Sequence, residues 1–126
     1  MAGTCAVRFT RYYDATPTEV WAALTEPASL GRWLAPVEAI EVVRGGSFEF
    51  RGEVSARVRD VEPERVLELD WVDAGSVPSI VRFELSSDGD GTVLVLDHRR
   101  VDALLGMRAM ARWDGSLRRL DAVLAR

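Results

Sequence analysis

Hydrophobic and polar residues alternate along most of this chain, and a three- and four-residue rhythm replaces the alternation only near the start and at the end. CAVRFTRYY sets Val7, Phe9 and Tyr13 on one parity and Arg8, Thr10 and Tyr12 on the other, the pattern of a half-buried strand. From Val37 to His98 the pattern is β throughout. In FEFRGEVSARV, Phe48, Phe50, Gly52, Val54, Ala56 and Val58 share one face, against Glu49, Arg51, Glu53, Ser55 and Arg57. Leu67, Leu69 and Trp71 continue it, then Val81, Phe83 and Leu85, then Leu94, Leu96 and His98. Gly45-Gly46, Pro63-Glu64, the Asp73 to Pro78 stretch and SDGDG separate the strands as turns. Strands with one apolar face form an antiparallel sheet covered on one side and wet on the other.

Two short helices interrupt the strands. Thr16 and Glu19 have capping-box spacing with Pro17 at the first helical position, which predicts a helix to about Thr25 with Val20, Trp21 and Leu24 on one face. Pro27 opens a second helix carrying Leu30, Trp33 and Leu34, and Pro36 ends it. Helices this brief do not persist alone in water, so Trp21 and Trp33 are read as plugs at one end of the sheet. From Asp102 to Arg126 the rhythm is helical, with Met110, Trp113, Leu117, Leu120 and Leu124 in one apolar stripe and Arg108, Arg112, Arg119 and Arg126 in a second. Gly106 and Gly115 each weaken a helix by roughly 1 kcal/mol relative to Ala, so a bend or break is expected near one of them. The order is strand, two short helices, about six strands and a long helix. It predicts an α+β domain spanning residues 1–126 in which six to seven antiparallel strands curve around the terminal helix.

Composition narrows the function. The 126 residues suit one domain, and no stretch approaches the roughly 20 apolar residues of a membrane span. The N-terminus lacks the basic and apolar regions of a signal peptide, and Cys5 has no second cysteine to pair with, so a reducing cytoplasm is the expected compartment. The net charge of −4 argues against general nucleic-acid binding. All 16 basic residues are Arg; residues 1–101 carry a net −6 and residues 102–126 a net +2. One histidine and one distant cysteine make no zinc set. DGDGT lacks the further oxygen ligands of a calcium loop, and Gly45-Gly46 precedes a strand rather than a helix; both read as turns. No cofactor is expected.

Ala15 to Trp33, then RGGSFEFRGEV, a Pro-Glu-Arg turn, LDW, GDGTVLVLDH and WDGSLRRL resemble, in order and over nearly the whole chain, the START-related helix-grip superfamily (SRPBCC) of lipid-transfer and polyketide-cyclase domains. Within it the chain resembles the branch homologous to the activator of heat-shock protein 90 ATPase. The resemblance implies a helix-grip fold with a deep cavity between the concave sheet and the terminal helix, which many members use to hold apolar molecules. Residues facing such a cavity by strand parity or by the helical stripe are Phe48, Phe50, Leu69, Trp71, Val81, Phe83, Leu96, His98, Met110 and Trp113. Trp71 and Trp113 are expected to face each other across it.

Non-enzymatic binding of a small apolar or amphipathic ligand is the leading expectation, with His98 or Arg11 fixing its orientation. An imidazole titrates near neutral pH, so a cyclase- or hydrolase-like enzyme using His98 is the first alternative. No nucleophile elbow lies near that histidine. A protein-interaction or co-chaperone-like module, docking an acidic partner on the Arg face of the terminal helix, is the second. Asp70, Glu84 and Asp97 fall on the outward parity and are expected to be solvated.

Overall fold

The computed structural model describes residues 3–52, 54–73 and 77–125; Glu53, Arg126 and the middle of the turn expected after Asp73 lie outside them. Strand β1 (Thr4–Tyr13) leads into helices α1 (Pro17–Thr25) and α2 (Pro27–Trp33). Six strands follow: β2 (Val37–Ile40), β3 (Ser47–Phe50), β4 (Val54–Glu62), β5 (Val66–Asp73), β6 (Ser79–Asp88) and β7 (Gly91–Asp102). A 3-10 turn (Ala103–Leu105) then delivers the chain into α3 (Gly106–Leu124). All strands pair antiparallel in one curved sheet of order β1-β7-β6-β5-β4-β3-β2, so the first strand joins the last beside the meander.

The α1 start is a full capping box: the Glu19 amide donates to Thr16 Oγ1 at 3.2 Å and the Thr16 amide to Glu19 Oε1 at 3.1 Å. Trp33, fully buried, ties the short helices to everything around them. Its Nε1–H donates to the Ala23 carbonyl at 2.8 Å, and its ring meets Phe83 of β6 edge-on. Its own carbonyl accepts from Arg119 Nε on α3 at 3.2 Å. Trp21 is only half-buried, so Trp33 alone is the plug. On the other side, the Tyr13 hydroxyl donates to the Leu117 carbonyl of α3 at 3.1 Å, and burial raises its pKa well above the ordinary phenol range.

Two local expectations change. FEFRGEV keeps its parity but breaks into β3 and β4 at a turn where Gly52 takes φ 109°, a conformation that only glycine adopts cheaply. The terminal helix starts at Gly106 rather than Asp102, because β7 pairs with β1 as far as Asp102. Gly115 lies inside an uninterrupted helix. Packing of Trp113, Leu117 and Leu120 on either side of it outweighs the propensity deficit of one residue.

A bulge in β7 governs the site. Cys5 pairs with Val101 and Val7 with His98, so Arg99 and Arg100 together oppose the single residue Ala6. Arg100 takes φ 61°, and after it the parity flips, so that His98 and Val101 both turn inward although three residues apart. Arg100→Val should therefore cost roughly 1–2 kcal/mol in urea unfolding, because a β-branched residue is poorly tolerated there. Arg100→Gly should change stability by less than about 0.5 kcal/mol. Equal effects of the two would show that the left-handed backbone does not control this position.

Candidate functional site

Nine of the ten cavity-facing residues are buried, and the aromatic ones touch. Phe48 lies 6.4 Å from Phe50 and Phe50 5.9 Å from Trp71, between ring centroids. Trp71 lies 5.5 Å from Trp113, which in turn meets Phe83 at 6.0 Å. The two tryptophans are thus in van der Waals contact rather than on opposite walls. Five bulky rings and the aliphatic Leu69, Val81 and Leu96 fill the space that strand parity leaves open. Met110 is the exception. It is 50% exposed; the fully buried residues of α3 are Trp113, Ser116, Leu117 and Leu120. Leu104 (84%) and Met107 (88%) are likewise open to solvent.

A cleft of about 200 Å3 does open at the end of this packed seam. Its walls are the end of β5 (Trp71, Asp73), Val77 and Ser79 leading into β6, the bulged end of β7 (His98, Val101, Asp102), Leu105, and α3 through Arg108, Ala109, Arg112 and Trp113. Of the expected residues, Trp71, His98 and Trp113 line it; Phe48, Phe50, Leu69, Val81, Phe83 and Leu96 lie behind them in the core. Ser79 had a readable signal, because it shares the inward parity of Val81 and Phe83. Val101, Leu105 and Ala109 had none, since the bulge and the late helix start both shift the register.

His98, 4% exposed, sits at the floor of the cleft with both ring nitrogens engaged. Trp113 Nε1 lies 2.9 Å from Nδ1, and Ser79 Oγ lies 2.7 Å from Nε2. An indole N–H can only donate, so Nδ1 must be the unprotonated acceptor and Nε2 must carry the proton. Nε2–H then donates to Ser79 Oγ, whose hydroxyl donates onward to the Trp71 carbonyl at 3.3 Å. The chain runs one way, from indole through imidazole and hydroxyl to backbone. Burial lowers the His98 pKa to about 4, with Asp73 opposing and Arg112 reinforcing the shift, so the ring is neutral at pH 7.

The charged residues of the rim are mostly paired. Arg112 Nη1 donates to Asp73 Oδ1 at 2.9 Å, and Trp71 Nε1 donates to Asp73 Oδ2 at 3.3 Å. Arg119 donates to Trp33 and, at 3.1 Å, to Ser116 Oγ. Two residues of the expected Arg face are therefore engaged within the fold. Arg11, expected at the cavity rim or on an acidic partner, takes the second place and pins α3 to β1: Nη2 donates to Asp114 Oδ1 at 3.0 Å, and the guanidinium lies 5.0 Å from the Phe9 ring centroid. On the opposite, outer sheet face, Asp70, Glu84 and Asp97 all form ion pairs with arginines. Glu68 there is 7% exposed and accepts from Arg59, Arg82 and Arg99. Burial alone would raise its pKa, but the Arg82 hydrogen bond and the Arg99 and Arg82 charges outweigh it and the net shift is downward. Among the described residues no cluster of His, Cys, Asp and Glu could hold a metal, and no helix is long and apolar enough to cross a membrane.

The sequence model of the family described as activator of Hsp90 ATPase homolog 1-like protein matches residues 14–125. No curated protein sequence matches the chain. Among solved structures, the crystal structure of CalU16 from Micromonospora echinospora superposes with a TM-score of 0.88 at 28% identity, covering 99% of this chain and 84% of CalU16. DynU16, from the dynemicin biosynthetic locus, gives 0.84 at 24% identity; the match covers 94% of this chain but 46% of DynU16, and shows likeness of fold alone. CV1439 from Chromobacterium violaceum gives 0.84 at 20% identity over 94% of this chain and 96% of that one, again a likeness of fold. With its family match spanning nearly the whole length and its helix-grip architecture, the chain belongs to the activator of Hsp90 ATPase homolog 1-like family of the SRPBCC superfamily.

Proposed function

We propose that this protein binds a small apolar or amphipathic molecule at the cleft between the sheet and α3 and releases it unchanged. The observation that carries the reading is the state of His98. Its position on the cleft floor, 2.7 Å from a serine hydroxyl, looks like a nucleophile–base pair. The tautomer is the wrong one for that task. A base that activates Ser79 needs a free lone pair on Nε2, and the indole of Trp113 holds the lone pair on Nδ1 instead. A neutral ring with a pKa near 4 is also a poor acid at pH 7. His98 and Ser79 support binding as a fixed polar floor beneath an apolar wall, the usual arrangement of a small-molecule site.

The size agrees with a small guest. Pockets for drug-sized ligands run from roughly 300 Å3 upward, and an apolar cavity of roughly 150 Å3 takes up benzene. At about 200 Å3 the cleft suits one or two rings or a short chain. Native mass spectrometry of the protein isolated under non-denaturing conditions tests the reading. A retained small molecule recovered chemically unaltered after incubation is expected. Conversion of that molecule at a rate abolished by His98→Gln would overturn non-enzymatic binding.

A further inference from the structure

The chemistry of the guest follows from the four charged side chains of the cleft. Asp73 is doubly engaged, by the Arg112 guanidinium and the Trp71 indole. Asp102 Oδ1 accepts the Leu104 amide at 3.0 Å and so caps the 3-10 turn. Arg108 is different: among the described residues it makes no hydrogen bond or ion pair, although it lines the cleft. Its place in the fold gives it no structural reward either. It lies in the first turn of α3, which holds no acidic residue, and a cation there opposes the helix dipole.

We infer that the cleft selects a one- or two-ring organic anion, whose acidic group meets Arg108 and whose ring lies against Val101, Leu105 and Ala109 beside the edges of Trp71 and Trp113. The inference rests on the binding reading above and adds the class of ligand. A guanidinium fits a carboxylate with two parallel hydrogen bonds, and such charge-assisted bonds are about twice as strong as neutral ones. Asp102 acts against it, since its carboxylate carries the ligand's sign on the same rim.

Two probes of matched shape separate the contributions: naphthalene-2-carboxylate and naphthalene-2-carboxamide, titrated calorimetrically into the full chain at pH 7.5. The carboxylate should bind roughly tenfold tighter than the amide, the size of one good charge-assisted contact. Arg108→Gln should erase that difference and Arg108→Lys should keep most of it, with the carboxylate losing far more affinity than the amide in the Gln variant. Asp102→Asn retains an oxygen to cap Leu104 and should strengthen carboxylate binding by about two- to threefold, as expected for removing one partly screened like charge. Thermal melts of each variant establish that it is folded, and Arg108 is exposed enough to be replaced without disturbing the core. Equal binding of both probes, indifferent to Arg108, would overturn the anion preference and leave the binding reading standing. Binding of neither probe would overturn this inference, while a retained natural ligand in the mass spectrum would still uphold binding in general.

Discussion

Trp113→Ala is expected to lower the unfolding free energy by about 3–5 kcal/mol, the range for removing a buried Trp from a core. The side chain is the keystone of the seam. Its ring contacts Trp71, Phe83 and His98, and its N–H is the donor that sets the His98 tautomer. Alanine therefore opens a void and also leaves Nδ1 of a buried imidazole without a partner. Trp113→Phe separates the two effects. It keeps most of the ring and removes the donor, so a loss of roughly 1–3 kcal/mol is expected, the desolvation penalty of one unsatisfied buried group. Urea denaturation at pH 7.5 measures both. If the alanine variant unfolds at the parent midpoint with the parent slope, the seam between α3 and the sheet is not what holds the fold together.

Strand parity carried the fold because burial of one face leaves a period-two trace that no other constraint erases. Phe48, Phe50, Leu69, Val81 and Leu96 point inward as their alternation requires. The starts of the two short helices were equally plain, since Thr16, Glu19, Pro17 and Pro27 act within a few residues of themselves. The cleft was far less legible. Whether inward side chains leave space depends on how rings from four elements meet, and Trp71 closing on Trp113 is a tertiary fact with no trace in either segment. The β7 bulge has the same character. Arg99 and Arg100 look like two ordinary strand residues, yet the extra residue flips the parity and brings Val101 beside His98. Met110 misled because three- and four-residue spacing marks a helical stripe without saying which of its members the rest of the fold covers.

Glu68 shows how outward parity can mislead about exposure. The alternation placed it on the wet face correctly, but long arginine side chains from β4, β6 and β7 cover it. A chain whose basic residues are all Arg can build such canopies, because the planar guanidinium serves several acceptors at once. The same property makes Arg108 conspicuous: beside arginines anchored to Asp73, Asp114 and Glu68, it stands at the cleft without a partner among the described residues.

Acidification should destabilise the protein well above the pH at which its carboxylates respond, and His98 should be the cause. Its pKa is about 4 in the folded protein against 6.5 for the free side chain, so between these values the unfolded chain binds a proton that the native state refuses. Stability is then complete above pH 6.5 and is lost as pH falls toward 4. Linkage puts the loss at roughly 2 kcal/mol between pH 7.5 and 5, and at roughly 3 kcal/mol once the folded pKa is passed. Glu68 and Asp60, whose pKa values are lowered, add their own losses, but below their ordinary values of 4.5 and 3.8. The interval from pH 6.5 to 5 thus reports chiefly on the single histidine of the chain. The geometry demands the same sign, because protonating Nδ1 would set an N–H against the indole N–H of Trp113. Urea midpoints taken in half-unit steps across this interval should fall steadily in the native protein. In His98→Gln, which has no group that titrates there, they should stay level from a lower starting value. A native protein whose midpoint is flat from pH 7.5 to 5 would mean that His98 can accept its proton in place, and the one-way hydrogen-bond chain would have to be abandoned.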